Sequence, residues 1–276
     1  MPPTVLHHKL PLTTACHHYT ADDFDAIPRD IQKYWHQRYS IFSLYDDGIC
    51  LTDDAWFGVT PEPVANQISL DLPSPTQTII DIFAGAGGNS ISLALSQKWR
   101  RVIAVEKDEA TLACAQHNAA IYGVLDDITW VHGDSFELLS LLKKTSSPKS
   151  SDDDNDLLDP VLSDIVPDDT AIFASPPWGG VAYADQHVFD LSTMEPYNLE
   201  MLHEACSPMA HALFLPRTSD IRQIARLGSQ KRKIEVVQYC MYGASKAMVA
   251  YIPAASDASD DSASLEDGEI NEKMTS

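Results

Sequence analysis

T-I-I-D-I-F-A-G-A-G-G-N, residues 78–89, decides how the rest of the chain is read. The run T-I-I-D-I-F (78–83) has the β-branched, apolar character of a buried strand, and the glycines of G-A-G-G (85–88) allow a tight turn. From Asn89 to about Lys98 the spacing predicts an amphipathic helix. Strand, tight turn and helix open an α/β unit, and the same alternation continues downstream. R-V-I-A-V (101–105) predicts a second strand. Asp108 then caps a helix that stops at Gly123, a residue suited to a left-handed terminus. I-T-W-V-H (128–132) is a third strand, F-E-L-L-S-L-L (136–142) a helix, T-A-I-F-A (170–174) a fourth strand and H-A-L-F-L-P (211–216) a fifth. Ser219 is expected to cap D-I-R-Q-I-A-R-L, which ends at Gly228. I-E-V-V-Q-Y-C-M-Y (234–242) and A-M-V-A-Y-I (247–252) lie too close together for a helical crossover and predict a hairpin. The expected fold is α/β: doubly wound, a mostly parallel sheet with an antiparallel C-terminal hairpin.

Residues 1–75 read differently. Asp22 to Tyr39 has helical character and W-F-G-V-T-P-E-P-V-A (56–65) ends in turn chemistry, which suggests a small helical N-terminal extension without a clear sheet of its own. The main domain is expected over 76–255.

The 276 residues are 44% hydrophobic and 8% aromatic, an ordinary globular composition. No apolar run approaches 18 residues and the N-terminus has no signal-peptide pattern, so a soluble, intracellular, membrane-free protein is expected. Five scattered cysteines, never spaced as C-x-x-C, and the pairs His7-His8 and His17-His18 without acidic or thiol partners at ligand spacing indicate neither disulfides nor a metal. The net charge of −21 is uneven: residues 145–169 carry eight acids and one Lys, residues 256–276 seven acids and one Lys. The remaining chain holds only −8. Both segments are rich in Ser and Asp, and a disordered acidic insertion and a disordered acidic tail are expected there.

In a doubly wound sheet, ligands sit outside the carboxyl ends of the strands. Three features fall on that rim. Asp81 ends the first strand beside Gly85. Glu106 ends the second, where an acid accepts hydrogen bonds from both ribose hydroxyls. Asp134 follows the third, in reach of an adenine amine. A nicotinamide dinucleotide is one reading, but its G-x-G-x-x-G fingerprint needs glycine where Ser90 stands. An acid at the first strand's end disfavours a pyrophosphate and suits the amino group of S-adenosylmethionine, the better reading.

I-F-A-S-P-P-W-G-G (172–180) ends the fourth strand in two prolines and an indole. The prolines fix φ and supply no donors, so the chain leaves the sheet as a stiff extended arm. Ser175 and the Pro176 carbonyl then present acceptors, and Trp178 offers a flat face to a base. Acceptors of this kind orient the hydrogens of an exocyclic amine as a methyl group arrives.

The [N/D/S]-P-P-[Y/F/W] tetrad resembles that of amino-methyltransferases acting on adenine, guanine, cytosine or glutamine nitrogen. With K-Y-W-x-Q-R-Y-x-I-F (33–42), D-D-G-I (46–49), W-F-x-V-T-P-E (56–62) and D-x-F-x-G-x-G-G-N (81–89), S-P-P-W-G-G is similar to the trimethylguanosine synthases over roughly Pro28 to Tyr251. The resemblance implies an enzyme that transfers methyl groups from S-adenosylmethionine to the exocyclic N2 of the 7-methylguanosine cap of small nuclear and nucleolar RNAs, giving 2,2,7-trimethylguanosine. It implies that Trp178 stacks on the cationic methylated guanine, with Ser175 near the acceptor amine. It gives Asp81, Gly85, Asn89, Glu106, Asp134 and Thr60 to the cofactor, and Lys33, Arg217, Asn118 and Phe42 to the cap. It also implies capped RNA and small nuclear ribonucleoprotein proteins as partners, a monomer, and residence in the nucleus or nucleolus with a cytoplasmic pool. Glu106 departs from the family, where Asp is common, and the acidic insertion replaces a short connection. Two alternatives stay open at this point: a guanine-N2 or adenine-N6 methyltransferase acting on internal bases of RNA or DNA, and a non-catalytic cap-binding scaffold.

Overall fold

The structure is a computed structural model that describes residues 3–73, 76–145, 159–179, 187–230 and 232–255. Eight strands form one sheet: β1 (Thr4–Leu6), β2 (Thr78–Asp81), β3 (Arg101–Glu106), β4 (Ile128–His132), β5 (Thr170–Ala174), β6 (Ala210–Leu215), β7 (Glu235–Met241) and β8 (Ala244–Ile252). Their order is β1-β4-β3-β2-β5-β6-β8-β7. The stretch from β4 to β6 is parallel, and β1, β8 and β7 pair antiparallel.

Side chains alternate across a pleated strand, so apolar neighbours in a central strand face opposite ways. Ile79, Val102 and Ala104 join one hydrophobic cluster, and Ile80, Ile103 and Val105 join another. The first cluster is completed by α1 (Arg29–Trp35), α2 (Arg38–Ile41), α3 (Ala55–Gly58), α4 (Glu62–Asp71), α5 (Gly88–Leu95) and α6 (Glu109–Ile121). The second is completed by α7 (Ser135–Thr145), α8 (Pro160–Ser163), α9 (Leu199–Cys206) and α10 (Ile221–Arg226). The expected doubly wound sheet with its C-terminal hairpin is present. Asp108 caps α6 by accepting from Thr111 N at 2.8 Å, and Gly123 after it has φ +73°.

The N-terminal extension forms no sheet of its own among the described residues but lends β1 to the main sheet at the β4 edge, with Val5 opposite Val131. Two expectations are corrected. The insertion expected to be disordered over 145–169 is ordered in its second half, while its residues 146–158 lie outside the described residues, as does the tail 256–276. Asp159 caps α8 through Val161 N at 2.9 Å, and Asp164 makes a paired contact with Arg101 at 2.8 and 3.0 Å. Leu162 and Ile165 are buried, and sinking such side chains stabilises by about 1.5–3 kcal/mol each. Finally, Asp220 rather than Ser219 caps α10, accepting from Arg222 N at 3.0 Å, while Ser219 Oγ donates back to Pro216 O at 2.7 Å.

The N-terminal extension is fastened to the sheet domain by polar ties. Leu10 N donates to Gln116 Oε1 at 2.7 Å, and Tyr122 Oη to Glu62 at 2.6 Å. Within the extension, Glu62 also accepts from Ser43 N at 2.6 Å and Ser43 Oγ at 2.9 Å.

Candidate active site

The strand order reverses at β2, with β3 and β4 on one side and β5 and β6 on the other, so the loops leaving β2 and β5 run side by side. Ile82 N donates to Phe173 O and Ala84 N to Val105 O, both at 3.0 Å, which splays the β2 loop over its two neighbours. Gly87 has φ +93°, and a Cβ there would meet Ala115 Cα at 3.2 Å. Glycine is therefore what lets the loop lie on α6.

The three rim acids are used differently. Asp81 is fully buried, accepting from Ser90 Oγ at 2.7 Å and Phe83 N at 3.3 Å. Burial raises its carboxyl pKa to about 6, against the opposing pull of those two donors. So placed, Asp81 sets the loop from behind. Glu106 Oε2 accepts from Gly85 N at 3.0 Å, and Oε1 from Lys107 N and Asp108 N at 2.9 Å each. Burial nonetheless shifts its pKa upward. Asp134 Oδ1 caps α7 through Phe136 N (2.9 Å) and Glu137 N (3.1 Å), and its Oδ2 has no hydrogen bond among the described residues.

Asn89 is where three parts of the chain meet. Its Nδ2 donates to Thr60 Oγ1 of the N-terminal extension at 3.1 Å and to Ser175 Oγ of the proline arm at 3.4 Å. Its Oδ1 is buried without a partner among the described residues. A buried orphan acceptor is costly unless a ligand donor completes it. Ser175 Oγ donates in turn to Phe83 O at 3.4 Å, which leaves the hydroxyl a lone pair for an incoming N–H.

Trp178 stacks on Phe214 of β6, with ring centroids 5.6 Å apart and planes 18° from parallel, and gives its indole N–H to Phe214 O at 3.2 Å. Pro176 is buried beside it and Pro177 is exposed. The arm is thus stiff and its indole is held at a fixed tilt.

The remaining candidates divide. Arg217, just past β6, is exposed and forms no ion pair or hydrogen bond with the described residues; Lys33 is exposed on α1 with Nζ 4.8 Å from the Tyr34 ring centroid. Asn118 is fully buried, gives Nδ2 to Cys50 O (2.9 Å) and Ala86 O (3.0 Å), and accepts from Cys50 N (2.9 Å), so in this arrangement it ties the extension to the glycine loop. Phe42, 2% exposed, packs under Gly88 and toward Tyr122 as a floor.

Tyr197 is a neighbour of the site that no sequence motif singles out. Its ring stacks on Phe136 at 4.4 Å and tilts toward Phe83 at 5.7 Å, beside the loops after β2 and β4. Only tertiary structure unites these rings, and no spacing signal points to them. Among the described residues, no group of three His, Cys, Asp or Glu side chains is arranged to hold a metal, and no helix is long and apolar enough to cross a membrane.

The family model for RNA cap guanine-N2 methyltransferases matches residues 76–255. The chain belongs to that family. It is similar to the trimethylguanosine synthase of Schizosaccharomyces pombe, at 33% identity over 82% of this chain and 87% of that one. It is also similar to the trimethylguanosine synthase of Saccharomyces cerevisiae, at 32% identity over 70% of this chain and 57% of the longer relative. Among solved structures, the O-methyltransferase TomG of Streptomyces achromogenes, in complex with S-adenosylmethionine, is similar at 12% identity and a TM-score of 0.42, covering 83% of this chain and 91% of that one. As a member of the family, this chain is a methyltransferase that uses S-adenosylmethionine and acts on N2 of the RNA cap guanine.

The residues present fit that cofactor. The rim is rich in acceptors: Glu106, Asp134 Oδ2 and the orphan Asn89 Oδ1 suit a ligand that brings an ammonium group, two ribose hydroxyls and an aromatic amine. They suit a pyrophosphate poorly, because its charge would oppose theirs.

Proposed function

We propose that this enzyme converts the 7-methylguanosine cap of small nuclear and nucleolar RNAs to 2,2,7-trimethylguanosine, with Trp178 as the platform for the methylated base. The observation that carries this reading is the pairing of an oriented indole with the Ser175–Asn89–Thr60 junction at the end of the same arm. A cationic base on an aromatic face is stabilised by roughly 0.5–2 kcal/mol, which favours N7-methylated over plain guanine.

The chemistry that bound S-adenosylmethionine supplies is an electrophilic methyl group on sulfur. Glu106 would accept from its ribose hydroxyls, Asp134 Oδ2 from its adenine amine, and Asn89 Oδ1 with Thr60 would hold its amino-acid end. Ser175 Oγ and the Pro176 carbonyl accept the hydrogens of the guanine N2 amine and aim its lone pair. No side chain is required as a base before attack, because the amine becomes acidic only on methylation and its proton then leaves to water. Holding amine and methyl donor in line supplies much of the rate enhancement, up to about 7–11 kcal/mol in favourable cases. Arg217 and Lys33 would meet the cap phosphates, since an acidic chain needs local cations to hold a triphosphate.

In the cell this reading entails a monomeric enzyme in the nucleus or nucleolus, with a cytoplasmic pool, working on capped RNA alongside small nuclear ribonucleoprotein proteins. The test is incubation with methyl-labelled S-adenosylmethionine and capped RNA with or without the N7-methyl, followed by digestion to nucleosides. Label is expected in 2,7-dimethyl and 2,2,7-trimethylguanosine from the N7-methylated cap alone. Label in an internal base overturns the reading.

A further inference from the structure

Tyr197 bridges the two halves of the site. On one side its ring stacks on Phe136, with centroids 4.4 Å apart and planes at 24°, and tilts against Phe83 at 5.7 Å and 40°. Phe136 follows Asp134, whose Oδ1 accepts its N–H, and Phe83 lies between Asp81 and Gly85 in the loop after β2. All three rings are partly exposed and pack against the edge of the second hydrophobic cluster.

On the other side, two residues before Tyr197, the chain touches the acceptor arm. A Cβ on Gly179, the residue after Trp178, would lie 3.6 Å from Glu195 N and 3.7 Å from Glu195 Cβ. The segment is pinned at both ends by the buried Met194 and Leu199, and Asn198 caps α9 through Met201 N at 2.9 Å. Glu195, Pro196 and Tyr197 therefore form a short strut between the base platform and the rings beside Asp134.

We propose that Tyr197 is a positioning residue that couples cofactor binding to cap binding, so that occupation of either end of the site raises affinity at the other. The inference rests on the functional reading above, in which Asp134 marks the adenine end and Trp178 the cap end. A nucleoside seated by Phe83 and Phe136 restrains the Tyr197 ring, and through the strut it restrains the arm at Gly179. The position of the strut against Gly179 is then already selected when a base stacks on Trp178, so the second ligand does not have to select it again. By linkage the effect has the same size in both directions.

Calorimetric titration tests it with S-adenosylhomocysteine, which carries no methyl group to transfer, and 7-methyl-GTP. Each is titrated alone and with the other saturating. In the wild type each ligand is expected to tighten the other by the same factor, about fivefold or more. Tyr197→Leu, which keeps apolar bulk and removes the ring, is expected to bring that factor below about twofold, and Tyr197→Phe to preserve it. If the leucine variant fails to fold, Phe136→Leu removes the other ring of the stack and carries the same expectation. Wild-type titrations in which both ligands bind independently overturn the coupling, as does a leucine variant that keeps the wild-type factor while losing cofactor affinity. Failure of the wild type to bind either ligand overturns the functional reading instead.

Discussion

Trp178 takes both its tilt and its rotation from Phe214: the rings stack at 5.6 Å, and the indole N–H bonds the backbone carbonyl of the same residue at 3.2 Å. Phe214→Leu keeps the carbonyl and some apolar bulk while removing the backing ring. KM for capped RNA is expected to rise roughly 2–10-fold, the equivalent of an aromatic pair worth about 0.5–1.5 kcal/mol, with S-adenosylhomocysteine affinity unchanged. Trp178→Ala is expected to abolish cap methylation and likewise spare cofactor binding. Steady-state kinetics beside a direct binding titration decide both, and loss of cofactor binding in either variant would count against the platform.

Arg217 is exposed at the end of β6 and makes no ion pair with the described residues. A cation held ready for phosphate shows itself in salt dependence. Arg217→Ala is expected to weaken capped RNA binding and to flatten the plot of log affinity against log salt by about one unit of slope. A variant with the wild-type slope would return Arg217 to the ordinary charged surface.

Asn118 separates a structural tie from a cap contact. Asn118→Ala strands the buried Cys50 N–H and deprives the Cys50 and Ala86 carbonyls of their donor. Stability is expected to fall by about 2–4 kcal/mol, read as a shift in the denaturant midpoint, since each unsatisfied buried group costs about 1–3 kcal/mol. KM for the cap, measured well below the melting temperature, is expected to stay at the wild-type value.

Asp81 makes stability depend on pH. Its folded-state pKa is raised from 3.8 to about 6 by burial, so between those values the folded protein holds a proton that the unfolded chain has lost. The sign follows: stability is highest below the unfolded pKa and declines as pH climbs from about 4 to about 6, by on the order of 2–3 kcal/mol. Asp81→Asn removes that decline and keeps an acceptor for Ser90. The melting temperature of the variant relative to wild type is expected to increase across this window and level off above it. A difference that does not change with pH would show that Asp81 ionises as an ordinary carboxylate.

Legibility in the sequence followed the range of the forces involved. β4 and β5 were readable to the residue because β-branched runs between turn signals are local statements, and so was the cap at Asp108. β1 was not, because three residues carry no period and its place depends on an edge offered by β4 more than 120 residues later. The acids at 159–169 hid Leu162 and Ile165 behind a disordered-looking composition, though several of those acids serve as caps and ion-pair partners. The glycine loop, Glu106 and the proline arm could be placed from the sequence because each lies at the end of a strand that is itself legible. At Asn118 and Asp81 the inward bonds were not legible, because a polar residue bonded inward has the same letter as one facing a ligand. Tyr197 had no signal, since its partners come from two other loops.

The central strand carries a consequence for synthesis. Thr78 of β2 pairs with Arg101 on one edge and with Thr170 on the other. The first partner emerges soon after β2 itself, but the second is translated 92 residues after Thr78, about 5–20 s later at ribosomal speeds. Throughout that interval the apolar strand Thr78–Asp81 has one unpaired edge, a template for pairing with a neighbouring nascent chain. Since the same pairing brings the β2 and β5 loops together, the active site is among the last features to form, and chaperone demand during translation should peak between the emergence of β3 and that of β5.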